Sequence, residues 1–334
     1  MKALLYEAPH QMRVINLPAP SPAGGEVVLR VGACGICGSD VHGYTGESGR
    51  RSPGQVMGHE FAGTIAALGT GVAGWEVGQR VVAYNIIGCG NCHYCGAGNE
   101  QCCPHRKVIG VNTGTNGAFA EFVSVPARNL IRLSDKLPFP LALFNEPLAV
   151  SYHALQFISK EARTLAIIGG GTIGQCLVRV ARLLPGRDVF LLEPVSEKRA
   201  LAESNGAKAL PPDVAQLLDL APGGTDAAVE AVGSEESVRL AINAVRPGGR
   251  VVLLGNLAKE VRVPLQQLIS EEKQLVGSYG FNFRDFHVVV GWLNEGKLDM
   301  SLMLSGRCTL DEAPQVFADL AAGRRQAVKM VVVP

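Results

Sequence analysis

Cys89, Cys92, Cys95 and Cys103 crowd into one short segment, CGNCHYC followed after seven residues by the fourth thiol. Four soft thiolates can close a tetrahedral zinc shell and leave no position for a substrate, so the site they suggest is structural. Such a metal would hold a loop that lacks a large core of its own. Cys102 beside Cys103 makes the register ambiguous. Cys103 is the preferred ligand and Cys102 is read as a free thiol, while His93 and His105 are read as packing or solvent contacts. A second set is dispersed: Cys37 in GICGSD, His59 and Glu60 in MGHEFAG, and Glu146 in NEPLAV. Ligands arriving from separate loops suit an open metal site, where zinc polarises an alcohol or carbonyl oxygen if one position stays exchangeable. On composition alone, Glu60 or Glu146 could equally cap a helix or face water.

Gly169-Gly170-Gly171-Thr172-Ile173-Gly174 satisfies GxGxxG directly after the apolar run TLAII. Gly169 allows the tight turn, Gly171 lets the backbone approach a pyrophosphate, and Gly174 lets helix and strand pack closely. The amides at Thr172 and Ile173 open the helix and would receive phosphate charge. Glu193 ends the next strand, VFLLE, where a carboxylate binds ribose hydroxyls and repels a phosphate, so NAD is expected rather than NADP. Lys198 and Arg199 follow, and each could pair with a phosphate. Lys198 is therefore kept among the cofactor residues, although solvent-facing helix positions suit both.

These residues need scaffolds. EVVLRVGACG, HEFAGTIAALG, QRVVAY and AFAEFVSVP read as short strands between glycine turns, a mostly β domain over residues 1–150. From about Arg163 strands alternate with helical stripes, one of them about Ser196 to Ser204, which is the rhythm of a doubly wound parallel sheet over 151–289. The tail 290–334, ending in AVKMVVVP, is expected to return to the first domain. At 334 residues the chain has room for about two domains of roughly 150 each. It is 47% hydrophobic and 18% charged, which excludes intrinsic disorder, and its formal net charge of +1 gives no global case for nucleic acid or an anionic membrane. Charges interrupt the first apolar residues before a signal-peptide core forms, so a cytoplasmic location is expected.

Together these motifs resemble the zinc-containing medium-chain dehydrogenase/reductase family, which includes alcohol, polyol and threonine dehydrogenases. The resemblance covers nearly the whole chain, through GxCGSDxH at Gly35–His42, GHEFAG at Gly58–Gly63, the four-cysteine lobe, EPLAV at Glu146–Val150, and GGGTIG, in the family order. It implies an α/β architecture: a GroES-like catalytic domain built from both chain ends, with a Rossmann cofactor domain between. It implies one catalytic zinc at Cys37, His59, Glu60 and Glu146 and one structural zinc at the four cysteines. Ser39 and His42 are similar to the family's proton relay. The resemblance also points to Tyr44, Phe144, Asn145 and Gly280–Arg284 as substrate lining, and to a homodimer or homotetramer joined across sheet edges, for which GGRVVLLGN is a candidate. The implied activity is hydride transfer between a polyol or other secondary alcohol and NAD. L-Threonine 3-dehydrogenase is the runner-up, since that branch has a different segment around Glu146. A zinc hydrolase leaves the glycine loop without a purpose. A non-catalytic NAD-binding structural or sensing protein leaves the Cys37, Ser39, His42 and His59 set without one.

Overall fold

The computed structural model describes residues 1–112, 114–184, 186–325 and 327–334. Its contacts define two compact units, Met1–Glu146 with Asn282–Pro334, and Pro147–Phe281. The expected boundaries at 150 and 290 thus fall at 146 and 282. The helix Asn145–Leu155 crosses the first of them, and the second lies just before the helix Phe283–Asn294.

In the first unit the long strand Glu26–Ile36 is central. Glu60–Leu68 and Phe122–Pro126 pair antiparallel with it, and Arg80–Ala83 and Leu130–Arg132 extend the sheet beyond Glu60–Leu68. The late strand Lys329–Val332 also pairs with Glu26–Ile36 and carries Leu304–Cys308 beside it, so both ends of the chain build one sheet. The core records the same closure: Phe61, Phe119, Phe317 and Met330 are buried together, and Phe119 meets Phe317 edge-on at 5.5 Å. Aromatic pairs of this geometry add to what their burial contributes.

The second unit is a six-stranded, all-parallel sheet. Its order is Lys208–Leu210, Asp188–Leu192, Thr164–Ile168, Thr225–Glu230, Val245–Leu253 and Gln274–Gly277. This is the 3-2-1-4-5-6 order of a dinucleotide fold, whose switch point lies between the first and fourth strands. Continuous apolar runs such as TLAII, four of five residues buried, suit strands covered on both faces. GGRVVLLGN lies in an internal strand, paired on both sides, and the edges are Lys208–Leu210 and Gln274–Gly277. Periodicity could not have told them apart, because all are short.

Asp226 staples the start of this sheet, accepting from the Arg163 and Thr164 amides at 2.7 and 3.0 Å, from Thr164 Oγ1 at 3.0 Å and from Arg246 Nε at 2.8 Å. Partial burial alone would raise its carboxyl, but these donors bring it down from the ordinary 3.8 to about 2. A depressed carboxyl stabilises the fold above its unfolded value and loses that contribution as pH falls through its folded one. Asp226→Asn is expected to lower unfolding free energy at neutral pH by about 2 kcal/mol, after allowance for partial exposure. The gap from the parent protein should shrink below about pH 4 in urea titrations at stepped pH. A gap that stays constant to pH 3 would refute this.

Candidate functional site

The register of two neighbouring strands assembles the first cluster. Gly35 pairs with Glu60, so Cys37, just past the end of Glu26–Ile36, meets His59, just before the start of Glu60–Leu68. Gly58 makes the turn at φ +99°, where a Cβ would lie 2.8 Å from both Cys34 Sγ and the Phe119 amide. Ligand atoms of Cys37, His59 and Glu60 all lie within 4.8 Å of one another. Glu146, in the first turn of Asn145–Leu155, stands outside that trio but within its field. Burial and the charge of Glu60 push its carboxyl up to about 7, against the pull of His59 and Lys329.

Sequence reading missed the residues around this cluster. Asp40, fully buried, accepts from the Cys37 amide at 3.2 Å and from Arg51 Nη2 at 3.1 Å, and its Oδ1 lies 3.3 Å from His59 Nδ1. Burial alone would raise the Asp40 carboxyl, but His59 and Arg51 bring it down to about 2. Burial likewise opposes a charged His59, yet Asp40 and Cys37 hold its pKa well above the ordinary value. Asn85 Nδ2 donates to the His59 carbonyl at 3.1 Å. Lys329 Nζ reaches both Glu60 oxygens, at 2.8 and 2.6 Å. A signal was available for two of these charged residues. Asp40 sits in the same GSD motif as Cys37, and Lys329 is the charge that interrupts an otherwise apolar strand.

A thiolate, an imidazole and a carboxylate within reach form a donor set that zinc accepts. A carboxylate against the far nitrogen of a ligating histidine fixes ring and tautomer, which is the part Asp40 is placed to play. Ser39 is exposed in the helix Gly38–Tyr44, and His42 on the same helix has Nδ1 3.0 Å from Glu47 Oε2. Of the residues expected to line a substrate pocket, Phe144 and Phe281 are wholly buried. Tyr44, also buried, donates its hydroxyl to the His10 carbonyl and packs on Phe317.

In the other cysteine set, the sulfurs of Cys89, Cys92, Cys95 and Cys103 lie within 4.8 Å of one another. Cys103 is buried whereas Cys102 is exposed, and His93 and His105 are exposed as well. The Asn91 backbone is the leading influence that draws the Cys89 thiol down to about 6, while the neighbouring Cys95 is pushed up to about 11.

The glycine loop follows Thr164–Ile168 and leads into the helix Thr172–Leu183, whose N-cap is Gly171. Gly169 has φ +98°, and a Cβ on Gly174 would fall 1.8 Å from the Gly169 carbonyl oxygen. At Gly171 a Cβ would meet nothing within 4 Å, so the loop is open where a pyrophosphate would approach. Glu193 is buried, with Oε2 accepting from the Gly170 amide at 2.6 Å and Oε1 from Val195 at 2.9 Å. A carboxylate offers about four acceptor sites, so acceptor capacity remains for ribose hydroxyls. Arg199 donates to the carbonyls of Glu193 and Pro194 at 2.8 and 2.7 Å, while Lys198 is half-buried and its carbonyl accepts from Gln175.

Residues 23–135 match the family described as "Alcohol dehydrogenase GroES-like domain", and residues 172–295 match "Zinc-binding dehydrogenase". The chain is 32% identical to the 2-dehydro-3-deoxy-L-galactonate 5-dehydrogenase of Pseudoalteromonas atlantica, over 99% of this chain and 98% of that one. It is 30% identical to the L-threonine 3-dehydrogenase of Pyrococcus horikoshii, over 97% and 96%. A zinc-binding dehydrogenase of Sinorhizobium meliloti, solved bound to NADP, superposes with a TM-score of 0.91 at 33% identity, covering 100% of this chain and 99% of that one. With two clusters of possible metal ligands, a dinucleotide sheet and these relatives, the chain belongs to the zinc-containing medium-chain dehydrogenase/reductase family of nicotinamide-dependent oxidoreductases.

Proposed function

We propose that the protein oxidises a secondary alcohol of a polyol or polyhydroxy acid to the ketone, with NAD as hydride acceptor. The observation that carries this reading is the convergence of Cys37, His59 and Glu60, with Glu146 in their field, on one partly buried point. Zinc held by Cys37, His59 and Glu146 would supply Lewis acidity to the alcohol oxygen, and NAD held at Gly169–Gly174 would accept the hydride. Asp40, itself balanced by Arg51, fixes the His59 ring. Ser39 would hydrogen-bond the substrate hydroxyl and relay its proton, releasing its own as it accepts the substrate's, and His42, steadied by Glu47, would help pass that proton to solvent. A second zinc, closed by Cys89, Cys92, Cys95 and Cys103, holds the lobe.

Two features support NAD over NADP: the Glu193 carboxylate lies against the Gly170 amide, and the Arg199 guanidinium is engaged by the strand-end carbonyls. The P. horikoshii relative supports threonine as the second reading. Assembly as a homodimer or homotetramer would use the open edge Gln274–Gly277, near the exposed Leu265 and Ile269. No helix among the described residues is long and apolar enough to cross a membrane.

The test is the initial rate of cofactor reduction by zinc-replete protein on polyols, sugar acids, vicinal diols and threonine, with NAD and with NADP. Turnover of a polyhydroxylated alcohol with NAD, at least about tenfold better in kcat/KM than with NADP, is expected, a gap worth about 1.4 kcal/mol. Turnover confined to threonine would select the second reading, and equal use of NADP would overturn the cofactor assignment.

A further inference from the structure

Glu230 is a buried acid to which the hydride-transfer reading gives no part. It ends the strand Thr225–Glu230 with 0% of its surface exposed. A carboxyl group in such a place is costly unless hydrogen bonds hold it. One oxygen is held: Oε1 accepts from the consecutive amides of Val232 and Gly233, both at 2.7 Å, just ahead of the helix Glu235–Ala244, whose N-terminus favours negative charge. Oε2 is also buried and has no hydrogen-bond partner among the described residues.

The main chain of the same residue serves a second loop. The Glu230 carbonyl accepts from the Leu254 and Gly255 amides, each at 2.9 Å, so one residue gathers four amides from the loops that follow Thr225–Glu230 and Val245–Leu253. These loops meet backbone to backbone. A Cβ on Gly255 would lie 2.1 Å from the Gly233 nitrogen, and one on Gly233, which turns at φ +89°, would lie 2.5 Å from the Asn256 nitrogen. The gathered loops also lie against the glycine turn. Ala231 donates to the Ile168 carbonyl at 3.0 Å, and a Cβ on Gly169 would lie 2.5 Å from Val232 Cγ2, yet Val232 is 39% exposed. A dinucleotide fold receives its ligand in the crevice at this switch point, so Val232 stands on the lip beside the glycine turn.

We propose that Glu230 is a positioning residue for the cofactor, gathering the loops 231–233 and 254–256 into a fixed wall against which the dinucleotide lies. This inference rests on the nicotinamide reading of the glycine loop given above. Glu193 grips the turn itself through the Gly170 amide, so the crevice has a buried acid on each side of its first strand.

The test uses the full-length, zinc-replete protein with NADH as the probe. Glu230→Gln keeps an oxygen for both amides, whereas Glu230→Leu leaves them buried and unpaired. Fluorescence titration of Glu230→Leu, at a temperature where circular dichroism shows it folded, is expected to give an NADH dissociation constant at least about tenfold above the parent's, because stranded amides draw the wall toward other partners. Glu230→Gln should stay within about threefold of the parent. Zinc content by native mass spectrometry should not change in either variant. A folded Glu230→Leu that melts earlier than the parent yet binds NADH equally well would make Glu230 purely structural and overturn the proposal. A loss in Glu230→Gln as large as in Glu230→Leu would overturn it too, since the acceptor oxygen would then not be what matters. Hydrogen exchange on the parent decides the case in which Glu230→Leu does not fold. NADH should slow exchange at 231–233 and 254–256, and unchanged rates there would overturn the proposal. A parent protein that binds no NADH would instead overturn the cofactor reading itself.

Discussion

Cys37→Ser is expected to abolish the catalytic metal while leaving the four-cysteine lobe loaded, and to lower kcat/KM by about a thousandfold or more. The size follows from the chemistry lost: Lewis-acid stabilisation is worth several kcal/mol, and each 1.36 kcal/mol is tenfold in rate. A neutral hydroxyl does not replace the soft thiolate as a zinc donor. The fold should survive, because Cys37 is only half-buried and lies past the end of its strand. Metal content per chain and initial rates decide the matter together. Full metal occupancy with a rate within tenfold of the parent would place the chemistry elsewhere.

Gly174→Ala is expected to weaken the cofactor side. The added methyl would fall 1.8 Å from the Gly169 carbonyl oxygen, and Gly169 has little room to retreat, since its own α-carbon faces Val232. A Cβ built on Gly169 would lie 2.5 Å from Val232 Cγ2, which shows how closely that neighbour already packs. Overpacking of this kind costs about 1–3 kcal/mol of stability. Displacing the turn also moves the amides of the helix start from where phosphate would meet them, so NADH affinity should fall by at least about tenfold, or 1.4 kcal/mol. Thermal unfolding and fluorescence titration with NADH measure the two effects separately. Unchanged NADH binding in the variant would mean that the loop does not hold the pyrophosphate.

Much of the molecule is legible before any coordinates, and the reason is local chemistry. The strand before Gly169, the helix after it and the helix Ser196–Ser204 follow from apolar periodicity and glycine placement within a few residues of each other. The four clustered cysteines are equally plain, because their spacing is short enough for one loop to bring them together. Where the outcome depended on burial or on partners far along the chain, the sequence was silent. Phe144, Phe281 and Tyr44 carry the same letters whether they line a pocket or fill a core. GGRVVLLGN and the edge strand Gln274–Gly277 differ in what lies beside them and not in pattern.

The sequence by itself determined the two kinds of domain, the glycine loop, the acidic strand end and the residue types able to hold a metal. Only the tertiary structure decided that Cys37 and His59 meet, that Asp40 and Arg51 stand behind His59, and that Lys329 clasps Glu60 across Gly35. The physical reason is range. Turns, capping and periodicity act over a few residues, whereas these contacts arise from the register of three strands whose paired residues, such as Cys34 and Val332, come from opposite ends of the chain.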